Sequence, residues 1–180
     1  NEEKNANSSV VLKKILAMFF CLILCYAVTL ACFPNLTLAV GSNWFGDNGA
    51  KQKSAVIALI FNVFDFFGKF SYKYLPMKDN IFVYIYSLLR IFFVFFYVLA
   101  TDETLESGFF QTKFAGYGLL ILMAFTNGHF TSVAYTLASE RCENKLKKTC
   151  GFLMTVSLFI GLVYGGLISA MCFENKSVEV

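Results

Sequence analysis

Long apolar stretches separated by short polar ones dominate the chain. Crossing the roughly 30 Å hydrocarbon layer of a bilayer takes about 20 apolar residues in a helix. Five stretches are long enough, and the polar segments between them are too short to fold as domains. The pattern predicts an all-α, polytopic helical membrane protein whose membrane domain covers residues 12–173. The five predicted transmembrane helices cover approximately residues 12–40, 54–75, 80–100, 114–139 and 149–173, with short flanking segments at 1–11 and 174–180.

Composition supports this class and excludes others. Hydrophobic residues make up 57% of the chain and charged residues only 15%, whereas soluble domains average about 25% charged residues. The net charge of +3 comes from cations spread over several loops, without a basic groove, so we expect no nucleic-acid partner. The six cysteines and the single histidine show no zinc-ligand spacing. We therefore expect no metal and no other cofactor.

The distribution of Lys and Arg predicts the orientation, because cations near helix ends favour the cytoplasm. With a cytoplasmic amino terminus, nine cations lie inside and four lie outside, while Lys69 and Arg90 fall within spans. We expect residues 1–11 to be cytoplasmic, residues 174–180 to be extracellular, and the plasma membrane to be the host. The nine inner cations are Lys4, Lys13, Lys14, Lys73, Lys78, Arg141, Lys145, Lys147 and Lys148.

The second predicted span contains charged residues in the stretch FNVFDFFGK. Asp65 is the twelfth of its 22 residues, near the membrane midplane, where an ionised side chain costs at least roughly 2.5 to 3.5 kcal/mol. Asn62, Asp65 and Lys69 are spaced i, i+3 and i+7, so they share one face of the helix. That face should look into a bundle or a watery cavity rather than at lipid.

Arg90, near the middle of the third span, should lie at a depth similar to that of Asp65. Either Arg90 or Lys69 could neutralise Asp65. One interpretation is an internal staple between two helices. The other is a solute pathway, which we favour because ionisable residues inside membranes usually mark transport routes.

The fourth span carries a polar cluster in AFTNGHFTSVAY. Asn127 and Thr131 are one turn apart, and Gly128 allows another backbone to approach closely. Such a cluster can hydrogen-bond a polar solute. Two roles remain open for His129, an interhelical hydrogen bond or a proton-linked gate.

Two further patterns concern helix shape and packing. Pro34 should kink the first span, since it lacks a backbone donor, and the kink could be a hinge or passive curvature. In the last span small residues recur every fourth position, which permits close helix packing. This stripe consists of Ser157, Gly161, Gly165 and Ser169.

Taken in order, these motifs resemble the equilibrative nucleoside transporters, specifically the carboxyl-terminal half of that family. The motifs that carry the resemblance are FPNLTLAV (33–40), FNVFDFFGK (61–69), the buried Arg90, TNGHFTSV (126–133) and GFLMTVSLFIGLVYGGLIS (151–169).

The resemblance implies a major-facilitator-like bundle of six plus five helices, to which this chain contributes helices seven to eleven. It implies that Asp65 and Lys69, with Asn62 beside them, face the central cavity and help bind the sugar of a nucleoside. The family's usual Arg is Lys69 here, which keeps the charge but loses the planar fork that can hold two oxygens.

The expected function is facilitative transport of nucleosides, or alternatively nucleobases, by alternating access. We expect Asp65, Lys69, Asn62 and Asn127 to bind substrate, with Arg90, His129 and Pro34 in supporting or gating roles. A partner is required, the amino-terminal half, on the same gene product or a separate chain. The alternative is a non-transporting accessory or assembly subunit. An enzyme is not expected, because the chain shows no nucleophile–base pattern.

Overall fold

The structure is a computed structural model that describes residues 2–40, 50–100 and 112–178. Within these residues the regular elements are helices and no strand is present, which confirms the all-α class. The predicted polar loops 42–53 and 101–113 lie mostly outside the described residues. The helices are α1 (Glu2–Cys32), α2 (Asn35–Val40), α3 (Ala50–Ser71), α4 (Asn80–Leu89), α5 (Ile91–Ala100), α6 (Lys113–Glu140) and α7 (Lys147–Val178), with a 3-10 turn at Asn144–Leu146.

Four of the described segments are long and apolar enough to cross a membrane, which confirms a polytopic membrane protein. α6, the predicted fourth of the five spans, is not among them. Its 28 residues would extend about 42 Å, but its middle carries the polar TNGH stretch. A count of five spans stays a prediction. The four segments are Ser8–Leu38, Gln52–Ser71, Asn80–Ala100 and Asn144–Met171.

Two of the predicted spans are interrupted. α1 ends just before Pro34 and α2 begins just after it, so the break lies where the missing donor of proline predicts a kink. The hydroxyl of Thr37 donates to the Pro34 carbonyl at 2.7 Å. The third span divides into α4 and α5 at Arg90, where the Phe93 N–H donates to the Arg90 carbonyl at 3.0 Å. Periodicity did not reveal this second interruption.

The bundle has two apolar clusters with a polar layer between them. One cluster joins the amino-terminal part of α1 to α6 and α7, through residues such as Met18, Val133 and Met154. The other joins the end of α1 and α2 to α3, α5 and α6, through residues such as Leu36 and Ile57. Two buried charged residues lie between members of the two clusters along the chain: Asp65 between Phe61 and Tyr72, and Arg90 between Val83 and Phe93.

Candidate functional site

A reciprocal pair of glycines brings α3 and α6 into backbone contact. A Cβ added to Gly128 would overlap the carbonyl oxygen of Asp65 and lie 2.9 Å from the nitrogen of Lys69. A Cβ added to Gly68 would overlap the carbonyl oxygen of Phe125. Because the obstructing atoms are backbone, no side-chain rotation would relieve the overlap. Glycine at both positions therefore sets the spacing at which side chains of α3 and α6 can meet.

Asp65 is held by one partner from each of these helices. The Nδ2 of Asn127 donates to Asp65 Oδ1 at 2.8 Å. The Nζ of Lys69 lies 2.6 Å from Asp65 Oδ2, as an i, i+4 ion pair on α3. The Asp65 side chain is only 12% exposed, whereas that of Lys69 is 49% exposed. The carboxylate is thus neutralised and hydrogen-bonded, as a buried charge requires, while its ammonium partner remains accessible.

Arg90 is linked to Asp65 indirectly, through the side chains of Thr29 and Asn127. The guanidinium is 1% exposed and donates to the hydroxyls of Thr29 and Thr126, each at 2.7 Å. Thr29 in turn donates to Asn127 Oδ1 at 2.8 Å, and an Arg90 nitrogen lies 3.5 Å from the same oxygen. Arg90 therefore supports Asp65 by way of Asn127. The chain of bonds links α1, α3, α6 and the junction of α4 with α5.

Asn62 lies outside this network. Its side chain is exposed and donates to the Ala58 carbonyl of its own helix at 2.7 Å. Phe66, on the same helix, is 63% exposed. Asn62 and Lys69 consequently lie on a part of α3 that the described residues leave uncovered.

A cavity of about 370 Å³ lies on another side of the network, between α6 and the α4–α5 junction. Arg90 and Thr126 contribute to its walls, together with aromatic residues such as Phe93. Asp65 and Lys69 do not line it. A solute that meets Asp65 and Lys69 would thus approach from the uncovered face of α3.

His129, two residues after Asn127 on α6, makes a separate contact with α3. Its Nδ1 lies 2.8 Å from the hydroxyl of Ser71 on α3, and its ring packs edge-on against Tyr86 at 6.1 Å. Which of the two atoms donates depends on the tautomer of the histidine. The contact is an interhelical hydrogen bond, separate from the bonds around Asp65.

The small-residue stripe of α7 packs on α1. A Cβ added to Gly161 would lie 2.6 Å from the carbonyl oxygen of Ile23, and one added to Gly165 would lie 2.5 Å from that of Ala27. Ser157 and Ser169 are also buried. Beyond Pro34, the Nδ2 of Asn35 donates to Ser169 Oγ at 3.0 Å, so the stripe also anchors α2.

Sequence reasoning did not identify Thr29, although this hydroxyl connects Arg90 to Asn127. Cys25, one turn earlier on α1, also approaches Asn127 Oδ1, at 3.5 Å. The sequence feature that could have identified Thr29 is its hydroxyl in the middle of a long apolar span, because a hydroxyl inside the membrane needs a hydrogen-bond partner. Among the described residues, no cluster of His, Cys, Asp and Glu could hold a metal ion.

Comparison with known proteins shows the family. The sequence model described as "Nucleoside transporter" matches residues 1–173. The chain belongs to the nucleoside transporter family. No solved structure matches it significantly.

Curated members of the nucleoside transporter family are similar over most of this chain. Equilibrative nucleoside transporter 2 of Rattus norvegicus is 31% identical over 167 residues, which cover 89% of the chain and 36% of the relative. The Homo sapiens protein of the same name is 28% identical over 165 residues, which cover 88% of this chain and 36% of that relative. Nucleoside transporter 1.2 of Leishmania donovani is 27% identical over 170 residues, which cover 89% of this chain and 32% of that relative. The chain spans about a third of the length of these relatives.

Proposed function

We propose that this chain supplies the carboxyl-terminal bundle, helices seven to eleven, of a facilitative transporter of nucleosides, or alternatively nucleobases, that works by alternating access. The observation that carries the proposal is the Asp65–Lys69 ion pair in the carboxyl-terminal third of α3. The Asp65 carboxylate is buried and hydrogen-bonded, while the Lys69 side chain is half exposed on the uncovered face of the helix. Membership of the nucleoside transporter family and the names of the similar relatives support this reading.

The ion pair has hydrogen-bonding capacity left for a sugar. A carboxylate offers about four lone pairs, and Asp65 uses one for Asn127 and one for Lys69. The Lys69 ammonium has three donors, of which Asp65 takes one. Asp65 would accept from ribose hydroxyls, and Lys69 would orient Asp65 and donate to the sugar or base. Asn127 and Arg90 would hold the carboxylate in place.

The uncovered face of α3 supports the need for a second bundle. Asn62 and Lys69 present polar groups there, and such groups are costly against hydrocarbon. An amino-terminal half, on the same gene product or a separate chain, would enclose the face and complete a cavity. In this proposal the plasma membrane holds the protein, with the amino terminus inside and the carboxyl terminus outside.

Uptake of a radiolabelled nucleoside by the complete protein that carries this chain tests the site. Asp65→Asn keeps an acceptor for Asn127 but removes the charge. Since hydrogen bonds to charged groups contribute about 1.5 to 3 kcal/mol, we expect an increase in KM of roughly 10- to 150-fold. Asp79→Asn, the same change at an exposed position, is the control and should leave uptake unchanged. Wild-type uptake with an unchanged KM in the Asp65→Asn variant would refute the assignment of Asp65 as a substrate-binding residue.

The alternative function is a non-transporting accessory or assembly subunit. The close contacts of Gly161 and Gly165 with α1 would suffice for such a role. An accessory subunit has no need of a buried carboxylate such as that of Asp65, which is costly to desolvate. Nucleoside flux in vesicles that contain only the complete protein separates the two functions.

A further inference from the structure

A groove runs between residues 13–24 of α1 and residues 84–88 of α4, next to Arg141 at the end of α6. Its volume is about 550 Å³. Lys13, Lys14 and Arg141 contribute to its lining, and so do the hydroxyl-bearing side chains of Tyr84 and Ser87. The remaining walls are apolar or weakly polar and consist of Leu16, Ala17, Phe20, Cys21, Leu24 and Leu88.

Along the axis of the bundle, the cations line one end of the groove and apolar residues line the other. Its cations on α1 are Lys13 and Lys14, and its last apolar residue on that helix is Leu24. Eleven residues of helix separate Lys13 from Leu24, which corresponds to about 16 Å. This is close to half of the roughly 30 Å hydrocarbon thickness, or one leaflet. The groove therefore has the length of one acyl chain, with the positive charge at one end.

The positive charge of that end is only weakly compensated. Lys14 Nζ lies 3.3 Å from a carboxylate oxygen of Glu143, but the two side chains are 40% and 72% exposed. Exposed pairs of this kind contribute little and exchange readily with other anions. Arg141 donates to the side-chain oxygen of Asn80, a neutral amide that positions the guanidinium without neutralising it.

The apolar walls are open to a long ligand. Phe20 is 60% exposed and Leu88 is 57% exposed, on opposite sides of the groove. A free phosphate ion would satisfy the cations but leave these walls unused. A neutral lipid would cover the walls but leave the cations without an anionic partner.

We propose that this groove binds one anionic phospholipid of the cytoplasmic leaflet. The phosphate would lie among Lys13, Lys14 and Arg141, and an acyl chain would lie along Phe20 and Leu88. Basic pockets at the cytoplasmic ends of transmembrane helices suit anionic head groups, which are enriched in that leaflet. The inference rests on the cytoplasmic orientation of the amino terminus proposed above, and it does not depend on what the protein transports.

Native mass spectrometry of the complete protein in detergent tests the site without a transport assay. The probes are phosphatidylserine and phosphatidylcholine with identical acyl chains, each with and without inorganic phosphate as competitor. Lys13→Gln, Lys14→Gln and Arg141→Gln are combined in one variant. The matched control combines Lys145→Gln, Lys147→Gln and Lys148→Gln, three exposed cations of the same end that do not line the groove.

Each cation near an anionic lipid surface contributes about 1 kcal/mol, so the loss of three should lower the phosphatidylserine affinity of the groove variant by roughly 150-fold. The control variant should lose less than about twofold, and the wild type should prefer phosphatidylserine over phosphatidylcholine. Equal loss in both variants, equal binding of both lipids, or displacement by inorganic phosphate would each overturn the proposal.

Photolabelling of the wild-type protein keeps the proposal testable if the groove variant does not fold. Phosphatidylserine with a photoreactive acyl chain should label residues 16–24 of α1 and residues 84–88 of α4. Phosphatidylcholine with the same chain should label them clearly less. Labelling that is absent from both segments, or equal with the two lipids, would contradict the proposed site.

Discussion

Gly128→Ala probes the contact that assembles the candidate site. The added methyl group would overlap the carbonyl oxygen of Asp65 and crowd the nitrogen of Lys69. Because both atoms are backbone, α3 and α6 must separate. A separation of about 1 Å would lengthen the 2.8 Å bond from Asn127 to Asp65 to roughly 3.8 Å, which is no longer a hydrogen bond.

The expected cost has two parts. Overpacking of a close contact costs about 1 to 3 kcal/mol. Loss of a hydrogen bond to a charged group costs about a further 1.5 to 3 kcal/mol. Alanine is the better helix former by about 1 kcal/mol, so the net destabilisation should be roughly 1.5 to 5 kcal/mol.

The assay is thermal unfolding of the complete protein in detergent, together with nucleoside uptake. Gly118→Ala is the matched control, because it lies on the same helix and an added Cβ there meets nothing within 4 Å. The control should unfold at the wild-type temperature or slightly above, while Gly128→Ala should unfold earlier and lose uptake. If both variants matched the wild type, the reasoning about the backbone contact would be refuted.

Three further predictions concern the same bundle. Thr29→Val should cost about 1 to 3 kcal/mol of stability, because Arg90 and Asn127 lose a partner, and Thr29→Ser should restore most of it; equal unfolding temperatures for Val and Ser would contradict this. Arg90→Lys keeps the charge, but its ammonium cannot reach the two hydroxyls that the planar guanidinium reaches, so its unfolding temperature should fall nearly as far as that of Arg90→Gln. A wild-type unfolding temperature for Arg90→Lys would contradict the role of Arg90 as a bridge between Thr29 and Thr126. Gly165→Ala should destabilise the contact of α7 with α1 by roughly 1 to 3 kcal/mol, whereas Gly166→Ala, whose added Cβ would lie 3.6 Å from Leu30, should be neutral or mildly stabilising. A lower unfolding temperature for Gly166→Ala than for Gly165→Ala would show that the stripe does not pack as described.

Much of the fold could be predicted from the sequence, since bilayer-length apolar stretches have few alternatives to helix. The break at Pro34 and a close helix contact along the stripe of α7 likewise follow from local residue chemistry, although the sequence did not predict that the partner is α1. The division of the third span at Arg90 could not be predicted. It depends on hydroxyls of α1 and α6 that draw the guanidinium inward, and periodicity along one helix carries no information about partners on others.

The candidate site could be predicted only as a set of charged and polar positions. One-face spacing on α3 grouped Asn62 with Asp65 and Lys69, yet Asn62 bonds within its own helix. The link from Arg90 through Thr29 to Asn127 depends on how α1, α6 and the α4–α5 junction pack against one another. Such tertiary contacts are what a pattern along one chain cannot supply.

Nucleoside flux into vesicles that contain only the purified complete protein tests the central proposal most directly. Saturable flux in both directions, driven by the nucleoside gradient alone and sharply reduced by Asp65→Asn, is the predicted result. The present chain alone should give none, because in the proposal it supplies only one wall of the cavity. Absence of flux from the complete protein, or full flux with Asp65→Asn, would contradict the proposed role of the ion pair on α3.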